Sequence, residues 1–364
     1  FTERKNYMNN YFLKSDIDEI LEGIAVNVNN FSGKTIVLTG AMGFLGRYFM
    51  EIFSRLNESI LEKPCKVIAV DNLIIGNGNF SVTNKNRYIK VVNHDVIEPF
   101  SYEEKIDYII HAAGIASPFY YSAHPLETID VATIGTRKLL DLAKKNNARF
   151  IFFSSSEIYG DPDPNHVPIQ ESYRGNVATM GPRACYDESK RLAETLCYIY
   201  QSIHGVSTNI IRPFNVYGPG MQEEDYRLMP NFASLIKADQ PVHVYGDGDQ
   251  TRTFSYVTDA LTGFIKVISE GVPGEAYNIG NPEPEVSVMD VLHYIEKVIG
   301  NKIEFLLMEH PDSYPADEPM RRCPDIRKAM LQLSYRPVVS LEDGLQRYFS
   351  WADKVYTGKL YDGQ

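Results

Sequence analysis

Cysteine is scarce in this chain of 364 residues, and the four present (Cys65, Cys185, Cys197 and Cys323) are scattered, with no C-x-x-C among them. That excludes a disulfide framework and a structural zinc site, and it fits a reducing compartment. The eight histidines are equally dispersed, without metal-ligand spacing, so no metal is expected. No apolar run approaches the ~18 residues that would span a bilayer, and no signal-peptide segment opens the chain. The sequence therefore reads as soluble and cytoplasmic, with no membrane partner. Positive charge is in deficit as well. A formal net charge of -11 removes nucleic acids and anionic membranes as partners bound by bulk charge. It leaves room for an anionic small ligand, because a few local arginines outvote the mean. Repeats and low-complexity tracts are also missing.

What is present is an ordinary globular composition, 44% hydrophobic and 23% charged, at a length that suits one large or two interlocked domains. Residues 1–31 read as a helical extension. Ser15 is placed to cap a helix with Asp18 three residues on, and Ile17, Ile20, Leu21 and Ile24 form its apolar face. From residue 34 the pattern changes. T-I-V-L-T-G, K-V-I-A-V-D, Y-I-K-V-V, D-Y-I-I-H-A-A, F-I-F-F-S-S-S and T-N-I-I-R-P are continuous apolar runs separated by helical stretches. Strands of that kind are covered on both faces, and their alternation with helices predicts parallel βαβ units. The expected architecture is α/β, a Rossmann-type doubly wound parallel sheet over 32–215 with a return segment near 251–270. A smaller mixed α/β C-terminal lobe over most of 216–364 would contain P-V-H-V-Y, A-Y-N-I-G and a last helix around Leu341–Trp351.

Chemistry first shows in T-G-A-M-G-F-L-G, with Gly40, Gly43 and Gly46 after a strand and opening a helix. Glycines let the backbone turn tightly and approach a pyrophosphate seated on the helix N-terminus. The same letters also suit a tight turn with no ligand. The next strand ends in Asp71-Asn72, where a carboxylate can accept both ribose hydroxyls of an adenosine and would repel a 2′-phosphate, favouring NAD over NADP. The distance from Gly40 to Asp71 exceeds the usual ~20 residues, so an enlarged first crossover is required. Asp95, after another strand, can bond the adenine amine; either acid can also be a solvated strand end.

Tyr186 and Lys190 in P-R-A-C-Y-D-E-S-K lie one turn apart on one face of a helix expected over 185–204. A free phenol, with a pKa near 10, is too weak a base at neutral pH, but a neighbouring ammonium and an oxidised nicotinamide favour the phenolate. Such a tyrosine can take a hydroxyl proton while hydride leaves the same carbon. The run Ser154–Ser156 followed by Glu157 ends a strand at the carboxyl edge, where open α/β sheets bind ligands. Y-x-x-x-K alone is common as a solvated pair. In order with the glycine loop, the acid and the serines, it carries weight.

These residues resemble the extended short-chain dehydrogenase/reductase family of nucleotide-sugar enzymes over roughly 33–350. Within it, G-P-R-A-C-Y-D-E-S-K-R, A-S-P-x-x-Y at Ala116–Tyr121, S-S-S-E-I-Y-G-D-P at Ser154–Pro162 and Q-T-R-T-F at Gln250–Phe254 are similar to the UDP-glucuronate decarboxylases. The resemblance implies NAD held by Gly40, Gly43, Phe44, Leu45, Gly46, Asp71, Asn72, Asp95, Val96, Ala112, Ala113, Tyr186 and Lys190. It makes Tyr186 the base and Lys190 its partner, and places Ser155 on the sugar hydroxyl and Glu157 by C5 and the uronate carboxylate. Tyr121 would line that end, and Ser156 and Arg183 are further substrate-binding positions. Asn215, Arg252 and Arg322 would hold the diphosphate and nucleoside of a nucleotide-sugar substrate, with Tyr245 near the base. Each arginine can equally be a surface ion pair. In sugar 4,6-dehydratases an Asp-Glu pair at this strand end drives loss of water; here Ser156 precedes Glu157, which favours decarboxylation. A nucleotide-sugar 4-epimerase and a non-catalytic dinucleotide-binding scaffold are the other readings. The family's usual Asn is replaced by Ala132, H-A-A-G at His111–Gly114 departs from H-L-A-S, and the loop Ile74–Phe80 is only loosely similar. The helix after Tyr186, with Leu192, Leu196, Cys197, Tyr198, Ile199, Tyr200 and Ile203, is apolar over more than one stripe. A homodimer interface, or burial under the N-terminal extension, would account for it.

Overall fold

Continuous apolar runs are stable only when both faces are covered, and six of them meet in one sheet. A computed structural model of the chain describes residues 11–24, 28–75, 86–309 and 319–359, so most of the loop Ile74–Phe80 lies outside the described residues. The strands are β1 (Thr35–Thr39), β2 (Lys66–Asp71), β3 (Ile89–Asn93), β4 (Tyr108–His111), β5 (Arg149–Phe153) and β6 (Thr208–Pro213). Then come β7 (Val216–Tyr217), β8 (Val242–Tyr245), β9 (Thr251–Arg252), β10 (Ser255–Tyr256), β11 (Ala276–Ile279), β12 (Val286–Ser287), β13 (Phe305–Met308) and β14 (Arg321–Arg322). The main sheet runs β11-β6-β5-β4-β1-β2-β3, with every neighbour parallel. Strand order reverses between β1 and β4, which opens a crevice at their carboxyl ends. β1 is buried throughout, whereas edge strand β3 is only half covered.

Two expectations are corrected. A-Y-N-I belongs to the main sheet as edge strand β11, not to the smaller lobe, so the return into the first domain runs beyond 251–270. Four residues at a parallel edge are too few to show their partner in sequence. Ser15 does not cap the first helix. That helix, α1 (Lys14–Ile24), opens one residue earlier on the Leu13 carbonyl, leaving Ser15 exposed.

The helices that matter below are α2 (Phe44–Ser59), α3 (Pro118–Ala123), α4 (Pro125–Asp130), α5 (Thr136–Asn146), α6 (Ala184–His204), α7 (Leu228–Lys237) and α8 (Val257–Glu270). They are followed by α9 (Val288–Ile299), α10 (Arg327–Leu333) and α11 (Leu341–Val355). The 16-residue α2 is the enlarged crossover required between Gly40 and Asp71. The smaller lobe holds three small pairings: β8 with β13, β7 with β10, and β9 between β12 and β14.

Helix α1 packs on α8 and α2, both of which belong to the main-sheet domain. Its Asp16 is fully buried, accepting the Tyr256 hydroxyl at 2.8 Å and facing Arg347 at 3.5 Å. Burial pushes its carboxyl from 3.8 to about 6, against the pull of Tyr256 and Arg347. A raised folded-state value means the contribution is complete below the ordinary carboxyl range and lost as pH climbs through about 6. Wild type should therefore lose on the order of 1–3 kcal/mol relative to Asp16→Asn between roughly pH 4 and pH 7. Paired thermal melts across that range check this; parallel curves would refute it.

Candidate active site

Strand β1 delivers the glycine loop into the crevice. Gly40 has φ +69°, and a Cβ there would lie 2.7 Å from Ala112 O and Ala113 N, so the loop and the end of β4 sit back to back. At Gly46 a Cβ would meet Gly40 O at 2.1 Å. Both positions are required by the chain itself. Gly43 is different: its φ is -73°, and its Cβ would touch only Gly40 O at 3.4 Å. Nothing in the protein demands that glycine, which leaves backbone open at the N-terminus of α2, where the cap residue offers no side-chain acceptor. That is the cradle a pyrophosphate fits. Phe44 and Leu45 begin the helix above it, and Tyr11 reaches the Phe44 carbonyl at 3.4 Å.

Asp71 ends β2, as its assigned role requires, but its carboxylate already ties the loop down. Oδ2 accepts Met42 N–H at 2.8 Å and Oδ1 accepts Leu73 N–H at 2.9 Å. An ionised carboxylate retains further acceptor sites for hydroxyls. Asn72 Nδ2 donates to Asp95 at 2.9 Å, and Asp95 also accepts Ile97 N–H at 3.1 Å, so these three assigned residues form one rim. Val96 is buried beside Gly135, where a Cβ would sit 2.9 Å from its Cγ2. Ala113 N–H reaches Thr39 Oγ1 at 3.2 Å, and the same hydroxyl lies 2.8 Å from His111 Nδ1. Burial pushes His111 down to about 3, which keeps it neutral.

Helix α6 starts at Ala184 and places Tyr186 and Lys190 on its inner face, each 5% exposed. Tyr186 stacks on Tyr121, with centroids 5.3 Å apart and planes at 15°, and is hydrogen-bonded to the Ser155 hydroxyl. Lys190 also has a backbone partner. Its ammonium donates to Phe153 O at 2.7 Å and lies 5.7 Å from the Tyr186 ring centroid. Burial pushes the lysine down to about 8 and Tyr186 up to about 12. Burial thus outweighs any lowering of the phenol, and the ammonium donates to a carbonyl at the end of β5.

The turn after β5 places Ser156 in the interior and Glu157 at the crevice. Ser155 Oγ accepts Glu157 N–H at 3.2 Å. Arg322 grips Glu157 with both ends of its fork, at 2.5 and 2.7 Å, and Arg183 pairs with the same carboxylate. Arg322, expected at the diphosphate with Arg252, therefore closes on Glu157, since a planar guanidinium matches a buried carboxylate best. Arg252 is buried and donates to the Thr251 carbonyl at 2.8 Å and Met320 O at 3.2 Å. Asn215, at φ +42°, holds Thr253 O at 2.8 Å. β9 and β14 thus set Arg252, Thr253 and Arg322 side by side. Tyr245 ends β8, one turn before Arg252.

Three residues escaped the sequence reading. Arg227, half-buried and bonded to Asp225 at 2.7 Å, lies close enough to Tyr186 for its charge to favour the phenolate. Asp187 is buried beside Arg183. Thr39 links β1 to His111. Only Asp187 left a trace, an acid within Y-D-E-S-K.

The sequence profile of the NAD dependent epimerase/dehydratase family matches residues 36–280. UDP-glucuronic acid decarboxylase 1 of Xenopus tropicalis is 40% identical over 319 residues, 86% of this chain and 71% of that protein. The enzyme of the same name from Arabidopsis thaliana is 40% identical over 318 residues, covering 86% and 69%. A UDP-glucuronic acid 4-epimerase from Bacillus cereus, solved with UDP-glucuronic acid and NAD, superposes with a TM-score of 0.74 at 25% identity over 88% of this chain and 100% of that one. A dTDP-glucose 4,6-dehydratase from Streptomyces venezuelae with NAD reaches 0.77 at 24% identity, over 88% and 97%, a likeness of fold.

Proposed function

Because this chain belongs to the NAD dependent epimerase/dehydratase family, we propose that it is an NAD-dependent UDP-glucuronate decarboxylase yielding UDP-xylose. The observation that carries the reading is the turn after β5, which presents a single carboxylate, Glu157, between two guanidiniums beside Tyr186. Ser156, buried where a dehydratase would hold an Asp, is too weak an acid to expel water, and decarboxylation needs no such acid. The 40% identity to decarboxylases over most of their length supports the same choice.

Tyr186 would take the C4 hydroxyl proton of a glucuronate, with Ser155 holding the same oxygen. Bound NAD would supply the hydride acceptor and a positive ring charge that favours the phenolate. The resulting 4-ketone is β to the carboxylate, so carbon dioxide leaves with its bonding electrons moving onto the C4 oxygen. Hydrogen bonds from Tyr186 and Ser155 would stabilise that enolate. Solvent would supply the proton at C5, and Tyr186 would return its proton to the C4 oxygen as bound NAD gave back the hydride, completing the pentose. Glu157, Arg183, Arg322 and Tyr121 would face the carboxylate end, while Asn215, Arg252 and Tyr245 serve the nucleotide. Proton NMR of the protein with UDP-glucuronate should show UDP-xylose accumulating as carbon dioxide is released. UDP-galacturonate in its place would make the protein a 4-epimerase.

The chain would act as a homodimer. Leu192, Tyr198 and Ile203 of α6 and Leu126 and Ile129 of the adjoining α4 are exposed apolar side chains. The N-terminal helix covers α8 and α2, not this face. Sedimentation equilibrium should give twice 41.3 kDa, and Leu192→Asp with Ile203→Asp should return the monomer. A reducing, cytoplasmic setting accords with four free thiols, three of them buried.

A further inference from the structure

The glycine loop is pinned from two sides, and one of the pins is covered by a residue outside the family match. Met42, between Gly40 and Gly43, donates its N–H to Asp71 Oδ2 at 2.8 Å, and its carbonyl accepts Arg47 Nε at 2.9 Å. Turning the loop would break both bonds, so the uncapped N–H groups at the start of α2 stay aimed at the crevice. Arg47 is an unusual residue for that duty. It stands near the positive end of the α2 dipole, where a cation is disfavoured unless an anion binds there too. No carboxylate among the described residues pairs with it.

What covers Arg47 is Tyr11, whose ring centroid lies 5.2 Å from the guanidinium carbon. Tyr11 precedes the family match, which begins at residue 36. Its hydroxyl donates to Phe44 O at 3.4 Å. Its ring lies against Gly220, at φ +91°, where a Cβ would stand 2.5 Å from Tyr11 Cε1. Phe12 meets Tyr48 edge-on at 4.6 Å, and Tyr48 donates to Pro219 O at 2.9 Å. The segment is thus wedged between the start of α2 and the turn after β7. Helix α1 fixes it there, through Asp16 on Tyr256 and Glu19 on Arg347 at 2.7 Å.

We propose that the N-terminal segment is part of the cofactor site. Tyr11 is a positioning residue: it holds Arg47 against the Met42 carbonyl and so keeps the glycine loop shaped for the pyrophosphate of NAD. Because an aromatic face, not a carboxylate, covers the guanidinium, its charge is left to favour an anion at the head of α2. The loop is ordered on folding instead of on binding, which tightens NAD. This concerns NAD alone and holds whichever nucleotide sugar is the substrate.

Titration of NADH, followed by its fluorescence, into the full chain stripped of cofactor tests this, with melting curves to report folding separately. Tyr11→Leu should weaken NADH binding about fivefold or more, while Tyr11→Phe, which keeps the ring over Arg47, should stay within about twofold of wild type. Arg47→Met should cost at least as much as Tyr11→Leu. Combining the two should cost little more than Arg47→Met alone, since Tyr11 acts through Arg47, whereas a merely structural role would let the losses multiply. Unchanged affinity in Tyr11→Leu, an equal loss in Tyr11→Phe, or multiplying losses in the double variant overturns the proposal. If Tyr11→Leu does not fold, Arg47→Met decides, because NADH affinity within about twofold of wild type would leave Tyr11 nothing to act through.

Discussion

Tyr186→Phe should lower kcat for UDP-glucuronate by about 10²–10⁴-fold while KM changes less than about threefold. The substitution removes one oxygen from a ring that is 5% exposed and stacked on Tyr121, so packing is kept. What disappears is the only phenol hydrogen-bonded to Ser155 among the described residues, hence the proposed acceptor of the C4 proton. The surroundings explain why no other group would substitute. Lys190 is committed to Phe153 O at 2.7 Å, Glu157 is gripped by two arginines, and burial pushes His111 down to about 3, too weak a base, behind Thr39. Steady-state kinetics with a thermal melt settles the matter. A variant that folds normally and keeps more than about a tenth of wild-type kcat would remove Tyr186 from the proton-transfer role.

Gly43→Ala and Gly46→Ala should fail in opposite ways, although only two residues separate them. At Gly46 the new Cβ would sit 2.1 Å from Gly40 O and 2.7 Å from Ala41 Cα, all backbone. No rotamer can relieve that, so the loop must move, and a loss of about 3 kcal/mol or more is expected. At Gly43 the backbone is extended and the nearest atom is 3.4 Å away. Stability should fall by roughly 0.5 kcal/mol or less, mostly through the weaker helix cap. The methyl would instead stand where the pyrophosphate must approach, and NAD affinity should drop at least ~10-fold, about 1.4 kcal/mol. Melting curves without cofactor and fluorescence titrations with NADH separate the two effects. An unchanged affinity in Gly43→Ala would move the phosphate site away from the start of α2.

Much of this was legible along the chain. Six of the seven sheet strands were long apolar runs, and parallel strands buried on both faces must be written that way. Gly40, Gly46, Asp71, Tyr186 and Lys190 lie within local strand-turn-helix units, so spacing alone placed them at the right ends. The seventh strand, Ala276–Ile279, was missed because a short edge strand takes its partner from across the fold. The destination of charges was equally invisible. Arg322 and Arg183 converge on Glu157 from 165 and 26 residues away, and Arg227 stands by Tyr186 from the residue that precedes α7. Local geometry repeats with the periods of helix and strand, so residue order alone determined the fold class, the glycine loop and the Tyr-Lys face. Ion pairing and desolvation act through space, and only the tertiary structure decided that Lys190 turns to Phe153 O, that Glu157 is doubly clamped, and that Asp187 is buried beside it.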